Sequence, residues 1–193
     1  LVALDRRDVD LFHSEQLRER VTRMRPTVVV NAAAYTAVDK AESEPAVAHA
    51  INALAPGVLA EAADQVGALL VHYSTDYVFD GSGNAPRAED APTGPLSVYG
   101  QTKLDGEQRI RAACERHLIL RTSWVHAARG GNFARTMLRL AQEREELKVI
   151  DDQIGAPTGA DLIADVTAHA IRQSLLDPSS LGTHHLAASG ETS

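Results

Sequence analysis

Apolar runs typical of buried strands alternate along this chain with stretches of helical periodicity. Residues 27–33 form a β-branched run suited to a buried parallel strand, and residues 68–74 and 118–123 are similar in character. Between these runs, apolar side chains recur three and four residues apart, which is the spacing of a helix face. The alternation predicts an α/β fold: a doubly wound, Rossmann-like parallel sheet with helices on both faces.

Other elements are predicted from weaker patterns. Residues 1–5, 148–150 and 183–187 are short apolar or β-branched segments that we interpret as strands. An alanine-rich helix is expected over residues 44–66, with Gly67 as its stop. The Pro56-Gly57 pair is expected to interrupt or kink this helix, because proline removes a backbone donor.

The composition excludes several classes of protein. The chain of 193 residues carries a net charge of −7, whereas a general nucleic-acid binder would present a basic face. A single cysteine, Cys114, excludes an internal disulfide and fits a reducing compartment. The longest apolar runs, such as residues 27–34, look too short to span a bilayer, and no signal peptide is visible. We therefore predict a cytoplasmic location, with no nucleic-acid or membrane partner.

Polar clusters follow three successive predicted strands. They are Asn31-Ala32-Ala33-Ala34, Tyr73-Ser74-Thr75-Asp76 and Arg121-Thr122-Ser123-Trp124. Small and hydroxylated residues commonly end strands without any function, so each cluster alone carries little weight. Ligands of open α/β sheets, however, bind at the carboxyl ends of the strands, and three clusters at one edge favour a binding site there.

Tyr99 and Lys103 stand four residues apart and share one face of a predicted helix. An ammonium beside a phenol favours the phenolate, so we expect Lys103 to lower the pKa of Tyr99 from its usual value of about 10. Tyr99 would then donate a proton to a carbonyl oxygen near neutral pH. The spacing by itself often marks only an exposed helix face. A strand-end hydroxyl followed by a Tyr/Lys helix nevertheless resembles the active-site order of short-chain dehydrogenases.

A glycine-rich phosphate-binding turn is absent from the sequence. Gly81-Ser82-Gly83 and Gly130-Gly131 follow the wrong elements and are interpreted as turns. Both ends look cut, and we expect the first strand–helix unit of the dinucleotide fold to precede Leu1. Asp5 would then be the ribose-binding acid, although Arg6 and Arg7 could instead meet a 2′-phosphate. A solvated loop is an equally good interpretation of these three residues.

Five motifs in chain order resemble the dTDP-4-dehydrorhamnose reductase family, a branch of the extended short-chain dehydrogenases. They are residues 31–42 (NAAAYTAVDKAE), 72–79 (HYSTDYVF), 98–103 (VYGQTK), 121–125 (RTSWV) and 152–158 (DQIGAPT). Because they span most of the chain, a chance match is improbable. The resemblance implies reduction of the C4 ketone of dTDP-4-dehydro-L-rhamnose by NADPH or NADH, which gives dTDP-L-rhamnose.

The resemblance also implies residue roles. Tyr99 would protonate the C4 oxygen, Lys103 would hold the nicotinamide ribose and poise Tyr99, and Thr75 would hydrogen-bond the ketone. The implied cofactor-binding residues are Asp10, Leu11, Ala34, Tyr35, Thr36, Tyr73, Tyr99 and Lys103. The implied substrate-binding residues are Thr75, Asp76, Val38, Tyr77 and Trp124. Asn132, Gln153 and Pro157 would lie towards the nucleotide end. Residues 1–125 would form the NAD(P)-binding domain, and residues 126–193 part of a substrate lobe and the end of the sheet.

Two features leave room for variation within the family. His126 stands where relatives often have tyrosine, so we expect the local substrate contacts to differ from theirs. Some relatives bind Mg²⁺ at a dimer contact through an acid at the position of Asp161. A lone aspartate on an amphipathic helix is more often solvated, so we predict no metal, while a homodimer is possible.

Asp5 beside Arg6 and Arg7 predicts only a modest preference for NADPH over NADH.

Two alternative functions stay open from the sequence. One is another nucleotide-sugar enzyme of the same superfamily, an epimerase or dehydratase, that oxidises C4 first and retains NAD. The other is a non-catalytic regulatory homologue that keeps the fold and a nucleotide pocket. Intact Thr75, Tyr99 and Lys103 argue against the regulatory homologue, because a protein that only binds has no need of the acid.

Overall fold

The computed structural model describes residues 1–193 and contains six strands and seven α-helices. The strands are β1 (Val28–Asn31), β2 (Leu69–Thr75), β3 (His117–Thr122), β4 (Val125–His126), β5 (Thr158–Gly159) and β6 (Gly182–His185). The helices are α1 (Ser14–Met24), α2 (Val38–Ser43), α3 (Pro45–His49), α4 (Ala55–Val66), α5 (Val98–Ala113), α6 (Phe133–Glu143) and α7 (Ala160–Leu176). Two 3₁₀ turns, Asp76–Val78 and Pro178–Ser180, follow β2 and α7.

The main sheet is parallel, in the order β1-β2-β3-β6. Its side chains alternate between two cores, as the period of a strand requires. Leu70 and Ile119 point into a cluster with residues of α1, α4 and α5. Leu69 and Leu118 point the opposite way, into a cluster that includes Ile163 of α7. Helices therefore cover both faces, and the predicted doubly wound, Rossmann-like sheet is confirmed.

Two predicted strands are wrong. Residues 1–5 and 148–150 have no strand structure, and Leu1, Val149 and Ile150 are exposed. A strand exists only where its backbone groups meet a neighbouring strand, and neither segment has one. An apolar or β-branched run of three to five residues was therefore insufficient to identify a strand.

The long helical segment Pro45–Val66 contains an irregular turn just before its proline. Residues Ala50–Leu54 form a π-helix in which Ala55 N–H donates to the carbonyl of Ala50, five residues back. Pro56 has no N–H to give to the carbonyl of Asn52, so an unbroken α-helix is impossible here. The predicted interruption is confirmed, and Gly67 ends α4 in the left-handed conformation with φ 72°.

This segment also corrects the expectation about apolar length. Pro45–Val66 spans 22 residues and is long and apolar enough, by length and composition alone, to cross a membrane. More than half of its apolar window is buried inside the protein, at 56%. Ala53, Ala60 and Ala63 are fully buried, which is the behaviour of a core helix packed between α1 and α5.

Candidate active site

The parallel register brings the three strand-end clusters to one edge of the sheet. Asn31 at the end of β1 lies beside His72 in β2, and Thr75 at the end of β2 lies beside Thr122 in β3. Helix α5 packs against β2 and carries Tyr99 and Lys103. Ser97 caps this helix through a hydrogen bond from Gly100 N–H to its hydroxyl, at 3.1 Å. The cap fixes where α5 begins and so where Tyr99 lies.

Lys103 is buried, with 1% of its surface exposed. Its Nζ donates to the backbone carbonyl of Tyr73 at 2.6 Å and lies 3.1 Å from Nε2 of His72. Burial lowers the pKa of Lys103 to about 8, and the nearby Glu107 carboxylate acts in the opposite direction. Of the three hydrogens on an ammonium at this position, one remains for a ligand.

Tyr99 behaves differently from the sequence prediction. Burial raises the pKa of its phenol to about 12, and the charges of Asp76 and Tyr77 act in the same direction, while a hydrogen bond with Thr75 opposes them. The predicted lowering by Lys103 is wrong, because burial disfavours the charged phenolate, and the lysine nitrogen is instead bonded to His72 and the Tyr73 carbonyl. A phenol with this pKa is fully protonated at neutral pH, so Tyr99 is available as a proton donor.

A compact polar cluster surrounds the Tyr99 hydroxyl end. Thr75 Oγ1 donates to the Asp76 carboxylate at 3.0 Å and accepts from Tyr77 N–H at 3.2 Å. The rings of Tyr77 and Tyr99 meet edge to face, with centroids 5.5 Å apart. Burial raises the pKa of Asp76. The structure therefore brings Thr75, Asp76, Tyr77 and Tyr99 together.

The loop after β1 is held by an asparagine that the sequence analysis missed. Asn52 accepts from Tyr35 N–H at 2.8 Å and donates to the Tyr35 carbonyl at 3.0 Å. The Tyr35 hydroxyl donates to Glu44 at 2.7 Å. The two predicted cofactor-binding neighbours, Ala34 and Thr36, flank this anchored residue, and Val38 opens α2 immediately afterwards. A lone asparagine in an alanine-rich helix, next to a predicted kink, was the available signal.

Trp124 is packed against a glycine of the last motif. Its backbone is left-handed, with φ 45°, and its carbonyl accepts from Thr158 N–H at 3.2 Å. A Cβ on Gly155 would lie 2.5 Å from Cε2 of the indole, so only glycine fits at this distance. The contact brings residues 152–158 to the end of β3. Trp124 itself follows β3 closely in the chain and so lies near the strand-end edge.

The remaining predicted contacts have local roles within the protein. Asp10 accepts from Arg6 at 3.1 Å and from Phe12 N–H at 3.1 Å, and Leu11 packs on the core below α1. The Tyr73 hydroxyl donates to Thr167 of α7 at 2.9 Å, so only its carbonyl faces Lys103. Asp5 and Arg7 bind each other at 2.6 Å in an exposed turn. This pairing fits the solvated-loop interpretation of these two residues.

Three of the predicted residues beyond β3 occupy local structural positions. Asn132 caps α6, accepting from Arg135 N–H at 3.1 Å. His126 pairs with Gly159 between β4 and β5. Asp161 lies exposed in the first turn of α7, and no group of three or more potential metal ligands occurs in the chain.

A buried ion pair behind the site was also missed. Glu107 is fully buried and accepts two hydrogen bonds from Arg121 of β3, at 2.9 and 2.7 Å. It also accepts from the Ser74 hydroxyl at 2.6 Å. The spacing Tyr99, Lys103, Glu107 places all three on one face of α5 and was the signal in the sequence. The pair ties α5 to the ends of β2 and β3.

Comparison with known proteins identifies the family. The family model described as the RmlD substrate binding domain matches residues 1–193. The chain belongs to this family. It is 58% identical to the dTDP-4-dehydrorhamnose reductase of Escherichia coli K12 over 183 residues, which are 95% of this chain and 61% of that protein. It is 44% identical to the Streptomyces griseus enzyme of the same name, over 100% of this chain and 64% of the relative.

A solved structure shows the same architecture. The dTDP-4-dehydrorhamnose reductase of Bacillus anthracis, in complex with NADP, superposes with a TM-score of 0.92 at 38% identity. The match covers 98% of this chain and 66% of that one. The resemblance predicted from the five motifs is confirmed. The chain spans about 61% to 66% of the length of the first curated relatives it matches.

Proposed function

We propose that the chain carries the catalytic groups of an NADPH-dependent reductase that converts the C4 ketone of dTDP-4-dehydro-L-rhamnose into the alcohol of dTDP-L-rhamnose. The observation that carries the proposal is Tyr99, a partly buried phenol whose burial raises its pKa to about 12, hydrogen-bonded with Thr75 at the strand-end edge. Relatives named for this reaction, at 56% to 58% identity, support the choice of substrate.

The chain's own residues fit a nicotinamide cofactor. A Lys103 ammonium that hydrogen-bonds His72 and the Tyr73 carbonyl has one N–H left. A ribose hydroxyl is a suitable acceptor for that N–H. The loop of Ala34, Tyr35 and Thr36 offers small side chains and an anchored backbone. Bound NADPH would supply the hydride that reduces C4. NADH is the weaker choice in our proposal, and Asp10 and Leu11 would lie towards the adenine.

The protein's part in the reaction is to hold and move a proton. As C4 gains a hydride, its oxygen gains negative charge, and the Tyr99 hydroxyl donates its proton to that oxygen. The Thr75 hydroxyl, which donates to Asp76 in the structure, would turn to donate to the same oxygen and so stabilise the charge as it develops. Asp76, Tyr77, Val38 and Trp124 would orient the sugar. The surrounding burial strengthens each of these interactions, because water screens them less.

The central test is Tyr99→Phe in the intact protein. The substitution keeps the ring and its contact with Tyr77 and removes only the proton, and general acid catalysis is worth about 10² to 10⁴ in rate. We expect kcat, followed by NADPH absorbance, to fall by about that factor, and the affinity for the nucleotide sugar to stay within a few-fold. A variant that keeps more than half of the wild-type kcat would remove Tyr99 from the mechanism.

The same assay separates the alternative functions. A reductase consumes one NADPH for each ketone reduced. An epimerase or dehydratase turns over without net oxidation of added NADPH, and a regulatory homologue binds nucleotide without turnover. Cytoplasmic location, a homodimer, the absence of membrane, nucleic-acid or Mg²⁺ partners, and the division into residues 1–125 and 126–193 stay predictions.

A further inference from the structure

A run of buried polar side chains crosses the sheet behind the proposed active site. Asn31, His72 and Lys103 come from β1, β2 and α5, and each is no more than 5% exposed. Asn31 Nδ2 lies 3.1 Å from His72 Nδ1, and His72 Nε2 lies 3.1 Å from Lys103 Nζ. His72 and Asn31 touch neither of the groups that we assign to proton donation. Their chemistry therefore acts through Lys103.

A backbone N–H determines which partner donates in each of these hydrogen bonds. Ala33 N–H donates to Asn31 Oδ1 at 3.2 Å, which turns the amide nitrogen of Asn31 towards His72. His72 Nδ1 must then accept, so the ring proton is on Nε2 and points at Lys103 Nζ. A neutral amine has a lone pair to receive that proton, whereas an ammonium has none.

A charged Lys103 requires the opposite direction. The ammonium donates to Nε2 of His72, the ring proton moves to Nδ1, and Asn31 must turn its amide oxygen towards the ring. Ala33 N–H then loses its acceptor. The ammonium therefore permits only one direction of the three hydrogen bonds, whereas the neutral amine can accept from the ring and so keep the hydrogen bond of Ala33 N–H with Asn31. Charging the lysine costs that backbone hydrogen bond.

The charged groups around the relay are few. Glu107, on the same helix, favours the charged lysine and is itself paired with Arg121 of β3. Tyr99, also on α5, is neutral at ordinary pH. Burial, followed by the charge of Lys103, holds the pKa of His72 well below its usual value, so the ring stays neutral. The imidazole can thus change its tautomer without changing its charge.

We propose that Asn31 and His72 are positioning residues that form a reversible hydrogen-bond relay, whose direction sets the charge of the Lys103 amine. The inference rests on the proposed reductase function, because Lys103 there holds the ribose of the cofactor. A charged amine is a stronger donor to that ribose hydroxyl than a neutral one. Turnover should therefore fall as the pH rises through the pKa of Lys103, near 8.

Asn31→Asp tests the direction of the relay. A carboxylate only accepts hydrogen bonds, so it holds the ring proton on Nδ1 and the lysine in its charged form. A hydrogen bond to a charged group is worth about 1.5–3 kcal/mol, so the basic limb of kcat/KM should move up by about one to two pH units. A basic limb that stays where it is in the wild type would overturn the proposal.

Two substitutions at His72 separate the relay from simple packing. The amide of His72→Gln can donate or accept a hydrogen bond. This variant should therefore keep kcat within a few-fold of the wild type and keep the basic limb of its kcat/KM profile at the wild-type pH. His72→Leu fills the space without an acceptor, and we expect kcat/KM for NADPH to fall about tenfold to hundredfold. His117→Leu is the control, since His117 also lies in the sheet but bonds only the Cys114 carbonyl. Equal losses in the Gln and Leu variants would contradict the relay.

A measurement on the unmodified protein covers the case in which variants fail to fold. Nitrogen-15 NMR of the His72 ring should show the Nδ1–H tautomer below the pKa of Lys103 and the Nε2–H tautomer above it. A single tautomer throughout, or an imidazolium near neutral pH, would refute the relay whatever the kinetics show. A tautomer switch without any reductase turnover would instead refute the proposed function and leave the relay standing.

Discussion

Two ion pairs of the same chemistry show how differently two regions of this protein are built. Arg121 and Glu107, at the sheet edge, have side chains that are 4% and 0% exposed. Arg139 and Glu143, on α6, have side chains that are 59% and 52% exposed. The first pair joins a helix to a strand, while the second lies along a single helix. Burial therefore decides which arginine–glutamate contact holds the fold together.

The contrast extends to the apolar side chains of the two regions. Leu70 and Ile119 of the sheet are fully buried, whereas α6 has no buried residue although Phe133 and Leu138 are apolar. The proposed proton donor stands on the buried region, where neighbouring groups fix it from several sides. Helix α6, which has no buried residue, is stabilised by local hydrogen bonds such as the Asn132 cap. Substitutions should therefore have large effects at the sheet edge and small effects on α6.

The largest expected difference comes from Glu107→Gln compared with Glu143→Gln. Removing one partner of a buried ion pair leaves Arg121 uncompensated, which costs about 3–5 kcal/mol in the free energy of unfolding. The exposed pair on α6 contributes about 0–1 kcal/mol, so Glu143→Gln should be nearly neutral. Urea denaturation followed by circular dichroism measures both values. Equal stabilities of the two variants would show that the buried pair does not tie α5 to β3.

A second comparison uses two glycines. A Cβ on Gly106 of α5 would lie 2.1 Å from the carbonyl oxygen of Asn52, while a Cβ on Gly131 would meet nothing within 4 Å. Alanine normally stabilises a helix by about 0.5–1 kcal/mol over glycine, but a clash with a rigid backbone carbonyl should outweigh that gain. We expect Gly106→Ala to cost about 1–3 kcal/mol and Gly131→Ala to change stability by less than about 0.5 kcal/mol.

The denaturation midpoints of these variants decide between helix propensity and packing. If Gly106→Ala were more stable than the wild type, α5 would have to be free to move away from the π-helical segment. Its contacts with the carbonyl of Asn52 would then be irrelevant to stability.

The smallest expected effect lies on α6 itself. Asn132→Ala removes the side chain that caps this helix and should cost about 0.5–2 kcal/mol of local stability. Hydrogen exchange of the α6 amides should become faster, while the amides of β2 keep their protection. Gln142→Ala, at an exposed position of the same helix, is the matched control. Faster exchange in β2 as well would mean that the two regions are more tightly coupled than their burial indicates.

The sheet was largely predictable from the sequence because its central strands are long apolar runs. Residues 68–74 had to be buried whatever their neighbours, and they form β2 shifted by one residue. Residues 148–150 contain the β-branched pair Val149 and Ile150 but have no partner strand, and only the tertiary structure supplies that information. Pattern alone therefore predicted the strands that make the core and failed at the margins.

The candidate site also has features that the sequence predicts and features that only the folded structure shows. Thr75, Tyr99 and Lys103 were singled out from the motifs, but the pKa of Tyr99 was not predicted, because it is raised by burial of the phenol, and the Lys103 nitrogen points elsewhere. That direction is fixed by His72 and by the carbonyl of Tyr73, which are distant in sequence. Asn52, and the contact of Asn31 with His72, were missed for the same reason. A buried asparagine has no periodicity, and its partner is visible only once the chain has folded.

The π-helical turn at Ala50–Leu54 holds one residue more than an α-helical turn would. Each residue of an α-helix advances the helix by about 100° around its axis. Deleting one residue here would rotate α3 and its loop by that angle relative to α4 and carry Asn52 away from Tyr35. A point substitution in this segment changes one side chain and leaves the rest of the helix in place. A change in its length alters the anchor of the β1 loop and the helix face at once, so lineages should vary here in composition much more readily than in length.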